Sequence, residues 1–405
     1  MAPPLPRCGR MADLIAIAEA RSRVLDAVRP LRAEPVGVAD ALGRVLAEQV
    51  ESPIAVPPFD SSAMDGYAVI AGEAGELELI GEARAGHPAT ASVRPGTAIV
   101  ISTGAAVPEG ATAVVPIEHT ERTGERVSVP ATEPGANVRA AGEDIAAGEV
   151  VLRPGDVLGP AALGVAASVG RATLSCARRP RVALLVTGDE LTDPGQPLPP
   201  GGIYSSNGYA LAGQVDRAGA TIAMHERVPD HAGTTLATLG AALEEADVVV
   251  VSGGVSVGPH DHVKGALANL GAEERFWGVT LRPGKPTWFG TKGDKLAFGL
   301  PGNPVSAMVT FQLFVRPALA ALQGADPAAT RTTARLDRPV PRNRRREQAV
   351  RVRLSAGQDG WRAEPTKDAQ GSHVLTSMLG ADALALIAPG EADAPAGELV
   401  EVELL

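Results

Sequence analysis

Residues Asp247–Lys264 read DVVVVSGGVSVGPHDHVK. Four consecutive valines after an aspartate are too short for an amphipathic helix. A run that is apolar at every position, and not alternately, predicts a strand buried on both faces. Such strands belong to parallel sheets. Ser252, Gly253, Gly254 and Gly258 then interrupt the pattern, and Asp261 falls near the start of a helix predicted over KGALANL. The free N–H groups and dipole at a helix start favour an anion. Ligands of open α/β sheets bind beyond the carboxyl ends of the strands, which makes this loop the first candidate site. GGVSVG is neither a GxGxxG nor a GxxxxGK[ST] motif, and glycines after a strand are more often turn formers than phosphate cradles.

Working outward, residues 178–325 alternate strands with helices. VALLVTGDEL is followed by a helical NGYALAGQVDRAG, then TIAMHERVPD, a helical TLATLGAALEEA and the valine strand. LAFGL, the loop PGNP and the helix VSAMVTFQLFVRPALAALQG come later. This alternation predicts a doubly wound parallel sheet. Parallel strands point their carboxyl ends the same way, so Thr187–Glu190, Pro229–Asp230, the glycine loop with Asp261, and Pro301–Pro304 are expected along one edge. Crowded carboxylates repel unless they share a proton or a cation, and hard oxygens beside backbone N–H groups suit magnesium shared with a phosphate. Asp189 or Asp230 taken singly reads better as a helix cap. Glu190 and Asp261 together read as functional.

A chain of 405 residues, 45% hydrophobic, has room for two to four domains. Its net charge of -10 argues against general nucleic-acid binding. Cys8 and Cys176 are too few for a disulfide framework or a four-cysteine zinc site, which points to a reducing cytoplasm. The histidines show neither HxxxH nor HxH spacing, and no GxSxG elbow occurs. No export signal and no segment long and apolar enough to cross a bilayer are expected.

The organisation reads as an N-terminal arm and helices over 1–50, with a second short helix at Val38–Leu46. A small, mainly β domain follows over 51–145, then a connecting segment over 146–177. The α/β domain occupies 178–325, and a C-terminal β-barrel-like domain covers 326–405. In the α/β domain, Gly188, Ser252, Gly253, Gly254, Ser256 and Gly258 are candidate substrate contacts at strand ends. Pro301, Gly302, Asn303 and Pro304 would grip a base or ribose, or simply form a rigid loop before a helix. RPGKP places Arg282 and Lys285 around a turn, as a phosphate contact or as a solvated hairpin tip. In the first half, PPFDSSAMDGYAV (57–69), STGAAVPEG (102–110) and NVRAAGEDI (137–145) present Asp60, Thr103, Arg139 and Asp144.

Taken in order, PPFDSSAMDGYAV, STGAAVPEG, GEDI, TGDEL, SGGVSVGPHD, RPGKP and GLPGNPVSA resemble the molybdopterin molybdenumtransferase family, which includes the C-terminal domain of gephyrin. The resemblance runs from about Met11 to the C-terminus. It implies an enzyme that takes molybdate and adenylylated molybdopterin, cleaves the adenylyl group with magnesium, and releases molybdenum cofactor and AMP. It implies Asp60, Thr103, Glu190, Asp230 and Asp261 as catalytic residues, with Glu190 and Asp261 on the metal. Arg139, Asp144, Arg282, Lys285, Pro301 and Pro304 would contact substrate, as would Ser372 of the GSH stretch by position alone. Gly278 and Arg282 stand where bacterial members often have lysines, and Ser61 replaces the asparagine of DNSAMDGYA. A homodimer and a partnership with the molybdopterin adenylyltransferase are implied, without nucleic acid or membrane. The alternative is a non-catalytic pterin- or nucleotide-binding scaffold of the same fold.

Overall fold

The valines of the opening stretch form a central strand whose five residues, Val248–Ser252, are all buried. In the computed structural model the described residues are 14–255, 261–328 and 330–405. The chain divides into two compact units: residues 35–42 and 48–175 make one, and the remainder makes the other.

The larger unit contains strands β1 (Arg181–Thr187), β2 (Thr221–Val228), β3 (Val248–Ser252), β4 (Glu273–Trp277), β5 (Leu281–Arg282), β6 (Trp288–Lys292) and β7 (Lys295–Leu300). One six-stranded sheet has the order β2-β1-β3-β7-β6-β4. Its first four strands are parallel, β6 runs antiparallel to them, and β4, antiparallel to β6, shares their direction. Helix α1 (Asn207–Arg217) joins β1 to β2, and α2 (Ala232–Glu245) joins β2 to β3. Right-handed crossovers in opposite directions put these helices on opposite faces of the sheet. Leu211 and Val215 of α1 accordingly share a core with Leu184, Val248 and Val250. Leu239 and Leu243 of α2 share the other with Leu185, Val249 and Val251. Each buried valine contributes roughly 1.5–3 kcal/mol of burial. The chain reverses its strand order between β1 and β3, and that switch point opens the crevice beyond their carboxyl ends.

The other end of β3 is anchored electrostatically. Asp247 takes a bidentate pair from Arg178, both contacts 2.9 Å, and the Arg181 amide at 2.7 Å. Burial by itself would raise the Asp247 pKa, but these donors override it and hold the carboxyl below its ordinary value. A depressed folded-state pKa gives stability that is present above the unfolded-state pKa, about 4, and lost as pH falls through the folded value. Asp247→Asn is therefore expected to cost about 1.5–3 kcal/mol at neutral pH. Urea unfolding of the two proteins should converge at acidic pH, below the carboxylate range.

Helix α3 (Val263–Asn269) packs in the cluster with α2, α4 (Pro304–Thr310) and α5 (Arg316–Leu322) pack in the one with α1, and a π-helical turn, Phe311–Val315, joins α4 to α5. Pro317 has no amide to offer the Leu313 carbonyl. Arg21 Nε, from the N-terminal helix Ile17–Asp26, donates to that oxygen at 3.1 Å. Arg21 also pairs with the fully buried Glu403, which accepts from Arg316 and Thr330 at 2.9 Å each. Contrary to the expectation from sequence, Pro304–Leu322 is long and apolar enough to cross a bilayer by length and composition, but 78% of that window is buried in this core. The arm at 1–10 lies outside the described residues. The helix expected at Val38–Leu46 is a single 3₁₀ turn, Val38–Asp40, because the Ala177 amide draws the Val45 carbonyl into extended pairing.

The C-terminal strands β8 (Arg331–Leu336), β9 (Glu347–Gly357), β10 (Gly360–Pro365), β11 (Ala383–Ile387) and β12 (Leu399–Leu404) pair in the ring β9-β10-β8-β12-β11 and back to β9, a closed barrel. In the smaller unit, strands at 113–116, 66–69, 97–101, 75–83, 126–129 and 121–123 form a six-stranded curled sheet in that order. Both of its faces are covered by small apolar clusters, one around Tyr67 and Val115, the other around Ile99 and Val114.

Candidate functional site

Beyond the carboxyl ends of β1, β2, β3 and β7 lies a cavity of about 590 Å³. Glu190, Asp230 and Asp261 line it together with Gly188, Ser252, Gly253, Gly254 and all of Pro301–Pro304. The described ends of all four strands thus meet at one cavity. Ser256 and Gly258 lie outside the described residues. Gly188 has φ +147°, and a Cβ there would stand 2.6 Å from a Glu190 carboxylate oxygen. The glycine lets the Glu190 carboxylate fold back over the end of β1.

The helix-cap alternative for the aspartates resolves residue by residue. The Asp189 carboxylate accepts the Asp230 amide at 3.0 Å and so braces the turn after β2. His231, not Asp230, caps α2, its Nδ1 accepting from the Thr234 amide at 3.3 Å. Asp230 thereby keeps its place in the cavity wall. Asp261 precedes α3 by two positions, and His262 occupies the N-cap position without a side-chain cap hydrogen bond.

Several wall residues were missed in the sequence. Asn207, at the start of α1, donates Nδ2 to Ser252 Oγ at 2.9 Å and to the Gly302 carbonyl at 2.7 Å. Ser252 Oγ in turn donates to the Pro301 carbonyl at 3.3 Å. One amide therefore ties the end of β3 to the PGNP loop. Tyr204, Ser205 and Ser206 line the same wall. The available signal was the SSN run directly before a helix, three polar residues where one cap would suffice.

The barrel reaches this region through Ser372, whose carbonyl accepts the Val305 amide of α4 at 3.1 Å. Arg351, wholly buried, holds that segment by donating to the Gly371 carbonyl at 3.4 Å and to Ser377 Oγ at 3.1 Å. Burial pushes its guanidinium down to about 10. RPGKP is not a hairpin tip: Leu281 and Arg282 form β5, parallel to β9. Arg282 is exposed, and Lys285 is half-buried. Arg346 lies near Arg282; burial chiefly, and Arg282 secondarily, lower its pKa. Pro286, at the end of this motif, lines the cavity.

On the smaller unit the three remaining motifs meet in one patch. Ser61–Ser62 pairs with Val138–Arg139, and the Gly104 amide donates to the Ser62 carbonyl at 2.8 Å. Asp60, Thr103, Arg139 and Asp144 are all exposed there. Part of this polarity is structural: Asp60 accepts the Ala141 amide at 2.8 Å, and Asp65 accepts the Thr103 amide at 2.7 Å.

The switch-point cavity of the doubly wound sheet, with its carboxylates and glycine turns, defines an α/β ligand-binding protein. Residues 15–170 match the family described as MoeA N-terminal region (domain I and II). Residues 183–321 match a probable molybdopterin binding domain, and 333–405 match MoeA C-terminal region (domain IV). A molybdopterin molybdenumtransferase of Haemophilus influenzae is 38% identical over 317 residues, 77% of this chain and 78% of that protein. One from Bacillus subtilis is 33% identical across 96% of this chain and 94% of its own length. The crystal structure of a molybdopterin biosynthesis moeA protein from Pyrococcus horikoshii superposes with a TM-score of 0.83 at 31% identity, covering 97% of this chain and all of that one. The chain belongs to the molybdopterin molybdenumtransferase family.

Proposed function

We propose that this protein inserts molybdenum from molybdate into adenylylated molybdopterin with release of AMP, the last step of molybdenum cofactor synthesis. The observation that carries this reading is the convergence of Glu190, Asp230 and Asp261 on one cavity with the glycine loop and PGNP. The donor set fits magnesium, which commonly takes one or two carboxylates and completes its shell with water and substrate phosphates. Among the described residues no group of three or more His, Cys, Asp or Glu is placed to hold a metal ion. Glu190 and Asp261 would hold the ion. Bound there, magnesium would neutralise charge developing on the pyrophosphate.

The chain's own groups would bind and orient the substrate. The glycine turns at Gly188, Gly253 and Gly254 would let phosphates approach the strand ends closely, and Asn207 keeps PGNP in place for the nucleotide. Molybdate is an oxyanion for Arg282, Lys285 and nearby N–H donors. No protein nucleophile is required. Arg282→Ala is expected to raise the KM for molybdate or the adenylylated substrate about 3- to 10-fold at low salt, the difference shrinking as salt is added. An unchanged KM at low ionic strength would remove Arg282 from the site.

The working unit is proposed to be a homodimer in which Asp60, Thr103, Arg139 and Asp144 of one chain serve the cavity of the other. Phe59 and Met64, flanking Asp60, are 46% and 39% exposed, an apolar rim suited to cover by another chain. A reducing cytoplasm suits the free, buried Cys176. The adenylyltransferase that makes the substrate is the natural partner for its handover. The scaffold alternative predicts binding without turnover. Incubation with adenylylated molybdopterin, molybdate and magnesium decides between them: AMP release supports the enzyme, and binding without AMP supports the scaffold.

A further inference from the structure

Trp277 closes β4 and is half-buried against the core beneath α2 and α3. Its indole touches both described flanks of the segment that leads to Asp261. On the near flank, Nε1 donates to the Val255 carbonyl at 3.0 Å. On the far flank, the Lys264 ammonium lies over the ring, 4.5 Å from its centre, within the range of a cation–π contact. Glu274, on the same strand, attracts Lys264, and its carboxylate is fixed by Trp288 Nε1 at 2.6 Å. The flanks also meet directly. A Cβ on Gly254 would stand 2.7 Å from Val263 Cγ2, so only glycine permits this approach. Val255 is 2% exposed, and Asp261 lies between the two tethered points.

We propose that Trp277 is a positioning residue for Asp261: one indole brackets the loop at Val255 and Lys264 and thereby sets where the Asp261 carboxylate stands in the cavity. The proposal rests on the magnesium role given above to Asp261. A group acting through a metal ligand in this way typically changes metal affinity or activity 10- to 100-fold when lost, and a single neutral hydrogen bond changes less. Trp277→Phe keeps an aromatic ring but removes the donor. Lys264→Met keeps the stem and removes the cation. The full-length variants are compared with wild type by amide hydrogen exchange and by the magnesium dependence of AMP release.

Both variants are expected to speed exchange at Val255, Asp261 and Val263 by about 3- to 10-fold while leaving α2 unchanged. Trp277→Phe should also raise the half-saturating magnesium concentration about 3- to 10-fold, with kcat restored at saturating magnesium. Wild-type exchange in both variants overturns the bracket. Faster exchange with unaltered magnesium dependence overturns the link to Asp261. Asp261→Asn is run alongside as the control for the underlying role. If it retains activity, the metal assignment fails on its own, and the exchange data still decide whether Trp277 holds the loop.

Discussion

Asp261→Asn is expected to reduce AMP release more than about 10²-fold, a larger loss than the removal of a group that only supports a metal ligand. The substitution keeps the shape of the side chain and deletes its charge. Asp261 is half-buried at the cavity wall, outside both β3 and α3. The thermal midpoint should therefore stay within about 2 °C of wild type. Adding magnesium should recover little, because the change removes a ligand and does not merely displace one. Steady-state AMP release and a thermal melt on the same preparation are the required measurements. A variant that keeps most of its turnover would remove Asp261 from the reaction. Loss of turnover together with a large drop in midpoint would make its role structural.

The second large effect is a gain. Asp60→Ala and Asp261→Ala should each be inactive alone, and mixing them under conditions of subunit exchange should restore part of the activity. In a mixed dimer with sites shared between chains, one site carries both lesions and the other carries neither. Random exchange puts about half of all dimers in mixed form and leaves one intact site in each, so about a quarter of wild-type activity is the ceiling. If each site draws on a single chain, every site carries a lesion, and no activity returns even when exchange is verified with tagged subunits. The Ala141 amide bonded to Asp60 sets a control. Asp60→Asn retains an acceptor for that amide, so a loss common to Asp60→Asn and Asp60→Ala reflects charge and not a collapsed turn.

The fold class was readable from the strand pattern because burial on two faces leaves a mark at every residue. Val248–Val251 are apolar without alternation, and the flanking helices repeat with the helical period. The glycine and proline loops after those strands were legible for a related reason: parallel strands share a direction, so their ends must share an edge. What needed tertiary structure was the sorting of side chains within that edge. Sequence offered Asp189 and Asp230 as equivalent caps, and the structure separates them, because Asp189 bonds the Asp230 amide and His231 takes the cap. Asn207 escaped notice since its partners lie far along the chain, on Ser252 and Gly302. Arg282 looked like part of a turn, but its backbone pairs with the barrel strand at Gln348.

By itself, then, the sequence determined the periodicities, the strand directions and the motifs that carry the family likeness, all of which are local in the chain. The tertiary structure decided which carboxylate faces the cavity, which amide holds PGNP, and that one indole spans Val255 and Lys264. Those outcomes depend on contacts between residues from about ten to about a hundred positions apart, whose pairing is set by packing and leaves no period in the sequence.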